Sequence, residues 1–331
     1  MRSVPAGRGT EGGNYDDVVG VREIIETPSI RSSGLGVTSK ALLRAVRPKQ
    51  WVKNLLVFLA PAAAGALGHP RDVGLAAAAG GVFILASSGT YLINDVNDID
   101  RDRLHPTKRF RPIAAGDLSV GFAATLGVLA IALSIGAAWW LASLQLALVM
   151  FGYIVMTTSY SLFLKQVPYL ELVLVASGFV LRAVAGGIAV HVSISPWFLV
   201  VTSLGALLIG TGKRTAEMMT LGDASSAHRS VIRHYTAKGL GRIRIALVLL
   251  TSAAYGLWAF SQGSRINVAS GTDDSLFFKI SIIPFIAGLL VLEAALRRGE
   301  GGEPESLAIR NRPLQLAGVI CIGLVACGIY L

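Results

Sequence analysis

Cysteine is nearly absent from this 331-residue sequence, which contains only Cys321 and Cys327, both in the last apolar run. So few thiols exclude a disulfide framework and a thiolate metal site, and we interpret both residues as apolar filler. Charged residues are also scarce, at 15%, whereas hydrophobic residues make up 53%. Together with apolar runs of about 20 residues, this composition predicts a membrane protein rather than a soluble one.

Nine apolar runs follow one another along the chain, and their lengths suit transmembrane helices rather than outer-membrane strands. We therefore predict an all-α polytopic membrane protein with about nine transmembrane helices. Residues 1–39 are polar and glycine-rich and are expected to form a disordered cytoplasmic tail, ahead of a transmembrane domain at residues 40–331. The runs lie at roughly residues 55–68, 73–93, 119–140, 144–164, 169–190, 196–210, 243–261, 276–296 and 313–331.

Positive charge is distributed unevenly between the polar gaps. The gaps on the side of the N-terminal segment hold 22 lysines and arginines, against Arg71, Arg265 and Lys279 on the other side. The positive-inside rule then places the N-terminus and the longest polar loops on the cytoplasmic side of the cell (inner or plasma) membrane. Two of these loops would meet over one central cavity open to the cytoplasm. This bias and the attraction of basic residues to anionic lipid explain the net charge of +10, so nucleic acid is not needed as a partner.

The stretch from Asn94 to Gly116 is a sharp local inversion of this apolar composition. If it continues the preceding helix at about 100° per residue, Asp95, Asp98 and Asp102 form one acidic stripe and Asp100 faces solvent. Clustered carboxylates repel one another unless a cation neutralises them, and a hard divalent ion such as Mg²⁺ with oxygen ligands is the usual solution. The same stretch supplies donors suited to a phosphate or diphosphate, namely Lys108, Arg109 and Arg111.

The motif N-D-x-x-D-x-x-x-D, followed by H-P-x-K-R-x-R-P-I, resembles the first aspartate-rich motif of the UbiA-type intramembrane prenyltransferase superfamily. Three further blocks, RPKQWVKN, YSxxLKxxPxxE and GFVLRAVAGG, resemble the decaprenyl-phosphate phosphoribosyltransferase branch of that superfamily. The resemblance covers roughly residues 40–331. One departure is the missing second D-x-x-x-D motif, in whose place only Glu217 and Asp223 are present.

Two charges interrupt the fifth apolar run. Glu171 and Arg182 are eleven residues apart, which returns a helix to within about 20° of the starting direction, so both lie on one face. Intramembrane charges are costly and usually functional. Either both line a polar cavity, or they belong to a purely structural buried ion network.

The stretch around Gly212 superficially suggests a phosphate-binding loop. That motif needs glycine where Leu207 stands and a preceding strand, so we reject it. Lys213, Arg214 and Glu217 are instead expected to share a helical surface that faces the acidic loop.

The resemblance implies transfer of 5-phosphoribosyl from phosphoribosyl diphosphate (PRPP) to decaprenyl or another polyprenyl phosphate, with release of diphosphate, for arabinan and cell-wall precursor synthesis. The alternative within the superfamily attaches a prenyl diphosphate to an aromatic or quinone precursor, and a transporter is the alternative from another class. Mg²⁺ is the expected cofactor. The expected partners are PRPP, decaprenyl phosphate and the lipid bilayer, and a homo-oligomer is left open.

The candidate residues fall into two sets. The metal set, whose aspartates are also the catalytic candidates, comprises Asn94, Asp95, Asp98 and Asp102. The substrate-binding set comprises Lys49, Lys53, Asn54, Lys108, Arg109, Arg111, Tyr160, Lys165, Glu171, Arg182, Lys213, Arg214 and Glu217.

Overall fold

The computed structural model of the protein describes residues 39–221, 234–262 and 275–330. The described residues form helices, turns and connecting segments, and contain no β-strand. The tail predicted at residues 1–39 lies outside them except for Ser39, which begins the first helix. Asp223 lies outside them as well. The all-helical class expected from the composition is confirmed.

The described chain contains twelve α-helices of very different lengths, together with 3₁₀ helices and turns. Eight of them are long and apolar enough to cross a membrane, namely α3, α5 to α10 and α12. The helices are α1 Ser39–Ala45, α2 Leu59–Ala63, α3 Pro70–Asn97, α4 Ile99–Leu104, α5 Val120–Leu141, α6 Leu144–Leu162, α7 Leu170–Ala189, α8 Pro196–Leu221, α9 Ala237–Gln262, α10 Ser275–Arg297, α11 Pro304–Arg310 and α12 Arg312–Tyr330.

The first apolar run, expected near residues 55–68, does not form a long α-helix. It begins as a 3₁₀ helix at Pro48–Phe58 and continues as the short α2. Arg47, directly before the 3₁₀ helix, pairs with Asp95, so the segment starts beside the C-terminal part of α3. The segment ends near His69, directly before α3 begins. The segment therefore runs antiparallel along α3. A 3₁₀ helix rises about 2.0 Å per residue, so a short segment covers more depth than an α-helix of equal length.

Glycine lets this 3₁₀ helix pack closely against α7. A Cβ atom at Gly186 would lie 1.6 Å from the carbonyl oxygen of Val57. A second close approach joins α3 to α5, where a Cβ atom at Gly89 would lie 2.8 Å from the carbonyl oxygen of Gly127. Small residues at helix crossings are typical of membrane bundles, in which close backbone contact replaces the hydrophobic driving force.

Ion pairs bring several helix ends together at one end of the bundle. Lys165, just before α7, lies 3.9 Å from Asp98 at the end of α3. Arg214, in the last part of α8, pairs with Glu171 in the first turn of α7. Arg244 of α9 pairs with Glu293, near the end of α10. We call this region the polar end of the bundle.

The packing at Gly186 generates the first prediction. Gly186→Ala should lower the thermal unfolding midpoint in detergent micelles, because Val57 or α7 must shift, at a cost of about 1–3 kcal/mol or more. Gly152→Ala, in α6, is the matched control because nothing lies within 4 Å of its Cβ position. The control should be neutral, or stabilising by up to about 1 kcal/mol. Equal midpoints for the two variants would contradict the close packing.

Candidate functional site

Three aspartates follow one helical path at the polar end. Helix α3 ends at Asn97 and α4 begins at Ile99, and Asp98 joins them. Backbone hydrogen bonds from Asp98 to Asn94 (2.9 Å) and from Asp102 to Asp98 (2.8 Å) carry the helical spacing across the junction. Asp100 has a 91% exposed side chain, as predicted.

Arginine side chains neutralise two of these carboxylates. Asp95 and Asp102 are only 3% and 2% exposed. Arg111 bridges them, since its Nη1 donates to Asp95 Oδ1 at 3.1 Å and to Asp102 Oδ2 at 2.7 Å. Arg47 also donates to Asp95 Oδ1. The positive charge that the acidic stripe requires is therefore supplied by guanidinium groups in the protein as it stands.

The donor chemistry of the stripe nevertheless suits a hard divalent cation. The contacts with arginine use one oxygen each of Asp95 and Asp102. Asp98 is more open, at 27% side-chain exposure, with Arg101 and Lys165 at 3.5 and 3.9 Å. Carboxylate oxygens, together with the amide oxygen of Asn94, form the type of ligand set that Mg²⁺ takes. Over the ranges that the structure covers, no three acidic, histidine or cysteine groups converge closely enough to form a complete metal cluster.

Several cations surround this acidic group. The pKa of Lys108 is lowered, first by partial loss of hydration and then by the positive charge of Arg111, because both disfavour the ammonium form. Lys165 reaches Asp98 from the start of α7. Arg109 is exposed and stacks on the ring of Phe110, with 4.9 Å between guanidinium and ring centroid.

A second cluster connects the ends of α7 and α8. Arg214, only 2% exposed, makes two hydrogen bonds of 2.5 Å to the carboxylate of Glu171, which is fully buried, and also pairs with Glu217. The hydroxyl of Tyr235 donates to Glu171 at 3.1 Å and accepts a hydrogen bond from the backbone N–H of Tyr169 at 2.8 Å. Burial, supported by the negative charge of Glu171, raises the pKa of Tyr235 to about 12. Within this cluster, the guanidinium of Arg214 thus neutralises the carboxylates of both Glu171 and Glu217.

A third cluster surrounds Arg182. Its guanidinium donates to the amide oxygen of Asn54 at 2.8 Å, to the hydroxyl of Tyr153 at 2.7 Å and to the carbonyl of Gly178 at 2.7 Å. It also lies 4.8 Å from the ring centroid of Tyr153. Glu171 and Arg182, predicted to share one face of α7, thus belong to separate buried networks. The Asn54–Arg182 contact connects the first apolar segment to α7.

The connection between α10 and α12 returns to the bundle and carries a residue that sequence reasoning missed. A Cβ atom at Gly301 would lie 2.7 Å from the backbone of Gly212, so this connection packs directly on α8. Glu305, on α11, forms an ion pair of 2.8 Å with Lys53. Burial alone would raise the pKa of Glu305, but the ion pair with Lys53 and the positive charge of Lys213 lower it.

The remaining predicted residues occupy different positions. Lys49 is exposed on the 3₁₀ helix, and Tyr160 is partly buried in the last turn of α6. The Arg244–Glu293 pair (2.9 Å) was also missed, although both charges interrupt apolar runs, which is a detectable signal. Arg47 and Tyr153 carry no such signal, because one belongs to a basic stretch and the other to an ordinary aromatic pattern.

The comparison with protein families identifies one family. The UbiA prenyltransferase family matches residues 55–308. A decaprenyl-phosphate phosphoribosyltransferase from Mycolicibacterium smegmatis is 40% identical over 296 residues, covering 87% of this chain and 92% of the relative. Enzymes with the same name from Corynebacterium glutamicum and Mycobacterium tuberculosis are 39% and 38% identical, covering 85% and 87% of this chain and 85% and 94% of their own lengths.

Solved structures resemble the chain in fold. A UbiA homolog from Archaeoglobus fulgidus bound to DMAPP and Mg²⁺ superposes with a TM-score of 0.60, at 20% identity, over 87% of this chain and 97% of its own. A digeranylgeranylglyceryl phosphate synthase has a TM-score of 0.61 at 15% identity, over 88% of this chain and 98% of its own. At such low identity, the likeness establishes the fold alone.

The buried cluster at Arg214 generates the second prediction. Arg214→Met should lower the free energy of unfolding by about 3–5 kcal/mol, because it leaves the carboxylate of Glu171 buried without a partner. The double variant Glu171→Gln with Arg214→Met should recover part of this loss. Equilibrium unfolding in detergent micelles measures both effects.

Arg101→Gln is the control, because its guanidinium is 78% exposed and 3.5 Å from Asp98. A surface substitution of this kind should change stability by less than about 0.5 kcal/mol. If Arg214→Met is no more destabilising than Arg101→Gln, the cluster is not a buried ion pair in solution.

Proposed function

The chain belongs to the UbiA prenyltransferase family, and from this premise we propose that it transfers 5-phosphoribosyl from PRPP to decaprenyl or another polyprenyl phosphate and releases diphosphate. The observation that carries the proposal is the identity, over most of both chains, to three enzymes named decaprenyl-phosphate phosphoribosyltransferase. We also propose that the reaction depends on Mg²⁺ and takes place at the cytoplasmic side of the cell membrane. The product would serve as a precursor of arabinose donors.

The charge distribution at the polar end supports this donor over a prenyl diphosphate. PRPP carries a 5-phosphate in addition to its diphosphate, so its site needs cations as well as a metal. Lys108 and Lys165 lie near Asp98, and Lys53 and Lys213 lie near Glu305. In the second loop, Glu217 and Asp223 do not have the spacing of a D-x-x-x-D motif, so the chain lacks the second acidic motif that would help to hold a prenyl diphosphate.

The proposed division of work follows from these positions. Asn94, Asp95, Asp98 and Asp102 would hold Mg²⁺, which when bound offsets the charge that develops on the departing diphosphate. Lys108 and Lys165 bind oxygens of the diphosphate beside Asp98. Arg47 and Arg111 hold the buried carboxylates in place, and Lys53 and Lys213, near Glu305, would bind the 5-phosphate.

The chemical step needs little from the protein beyond positioning. A phosphate oxygen of the lipid forms a bond to the anomeric carbon of the ribose while the bond from that carbon to the diphosphate breaks, and the electron pair leaves with the diphosphate. The lipid phosphate is already ionised, so no general base is required. Holding both reactants in line converts the encounter into an effectively unimolecular step, which is the main contribution expected of the protein.

The third prediction tests the reaction class and the acidic stripe together. Purified protein, labelled PRPP, decaprenyl phosphate and Mg²⁺ should move label into the organic phase, and EDTA should stop the transfer. Asp95→Asn and Asp98→Asn should each reduce the rate about 100-fold or more, the scale of losing one preorganised electrostatic group.

Asp100→Asn is the matched control, because it removes the same charge from the same segment at a 91% exposed position. It should retain near wild-type activity. Transfer that survives EDTA and both stripe variants would remove the metal assignment. No transfer at all, from protein with a normal unfolding transition, would move the assignment to a prenyl diphosphate donor and an aromatic acceptor.

The fourth prediction separates the two donors without measuring turnover. A ligand that binds only the folded state raises its stability by RT ln(1 + [L]/Kd), or about 2.7 kcal/mol at 100 times Kd. With Mg²⁺ present, PRPP should therefore raise the unfolding midpoint, and geranyl diphosphate at the same concentration should not. The opposite order of protection would favour the prenyltransferase alternative.

A further inference from the structure

A pocket of about 500 Å³ lies between the C-terminal end of α10 and the start of α12, at the polar end of the bundle. Val291 and Ala294 form an apolar wall, and Pro313 adds a further apolar residue to the lining. Its polar lining includes three arginines and one asparagine, Arg298, Arg310, Arg312 and Asn311.

The pocket opens on a different face of α10 from the buried ion pair. Glu293 points into the bundle, where its carboxylate accepts from Arg244 at 2.9 Å. Val291, Ala294 and Arg298 form one stripe, whose mean direction lies roughly 130° from that of Glu293 at about 100° per residue. The pocket is therefore distinct from the acidic site and the clusters beside it.

Positive charge in this pocket exceeds the negative charge available to it. Arg310 and Arg312 are exposed, and neither forms an ion pair with a carboxylate in the part of the chain that the structure describes. Arg298 pairs with Glu300 at 2.6 Å, in a contact that leaves its side chain 58% exposed. Two guanidinium charges thus remain for an anionic partner.

The surface next to the pocket is apolar. Helix α12 has no buried residue, and its outward side chains include Leu316 (62% exposed) and Val319 (68% exposed). In a membrane protein these side chains contact acyl chains. A ligand that fits both surfaces has an anionic head group at the depth of the helix ends and hydrocarbon tails that run along α12.

We propose that this pocket binds the phosphate head group of a diacyl anionic phospholipid, whose acyl chains lie against α12. Basic pockets between transmembrane helices bind such head groups, and each basic residue near the membrane surface contributes about 1 kcal/mol. Arg310 and Arg312 provide the charge-assisted hydrogen bonds to phosphate oxygens. The polyprenyl phosphate acceptor is the less suitable occupant, because no residue that lines the pocket belongs to the acidic site.

Native mass spectrometry of the full chain, released from detergent with defined lipids, tests the proposal independently of turnover. Wild-type protein should retain phosphatidylglycerol at least tenfold more strongly than phosphatidylcholine. Arg310→Gln combined with Arg312→Gln should weaken phosphatidylglycerol binding about thirty-fold, which corresponds to about 2 kcal/mol at about 1 kcal/mol per arginine. Both positions are exposed, so the double variant should fold normally.

Lys238→Gln combined with Arg242→Gln is the matched control, because it removes two exposed cations from α9 at the same end. This control variant should keep the preference of the wild type for phosphatidylglycerol over phosphatidylcholine. Equal retention of the two lipids by wild type, or equal losses in the two double variants, would overturn the proposal. Displacement of phosphatidylglycerol by millimolar inorganic phosphate would indicate a free-phosphate site instead. Preferential binding of decaprenyl phosphate that the Arg310 and Arg312 changes abolish would indicate an acceptor entry site and would also overturn it.

Discussion

A carboxylate buried in an apolar helix bundle must be neutralised, and this constraint shapes the polar end of the protein. Removing one partner of a buried ion pair costs about 3–5 kcal/mol, because it leaves an uncompensated charge in the interior. Asp95 and Asp102 share Arg111, and Glu171 is held by Arg214. The Arg214–Glu171 and Arg47–Asp95 pairs connect residues 43 and 48 positions apart in the sequence, so these ion pairs also bring distant helix ends together.

Carboxylates at the polar end are neutralised differently around Asp98 and around Glu171. Around Asp98 the contacts are long and the side chain is partly exposed, so the proposed metal ion and phosphate would replace them at modest cost. Around Glu171 the contacts are short and fully buried, so exchange would leave a desolvated charge behind. This asymmetry supports the proposal of one metal-binding motif rather than two, and with it the proposed phosphoribosyl donor over a prenyl diphosphate held between two acidic motifs.

Close backbone contact is the second requirement of the fold, and it positions the first segment. The 3₁₀ helix lies against α7 only because Gly186 has no side chain. That contact places Asn54 within hydrogen-bonding distance of Arg182. The position of one glycine is therefore connected to the polar network that extends to Tyr153, and packing and electrostatics cannot be separated here.

The sequence by itself determined the membrane class, the helical architecture and the acidic stripe with Asp100 on its outer side. These features depend on composition and on helical periodicity, which are local properties. Only the tertiary structure decided which arginine meets which carboxylate, that Glu305 contacts Lys53, and that the first apolar run folds as a 3₁₀ helix and a short α-helix. Lys53 and Glu305 are in contact although they lie near opposite ends of the domain's sequence, and no local sequence pattern predicts such a pairing. It arises where the helices cross, and the crossing points depend on side-chain volumes throughout the bundle.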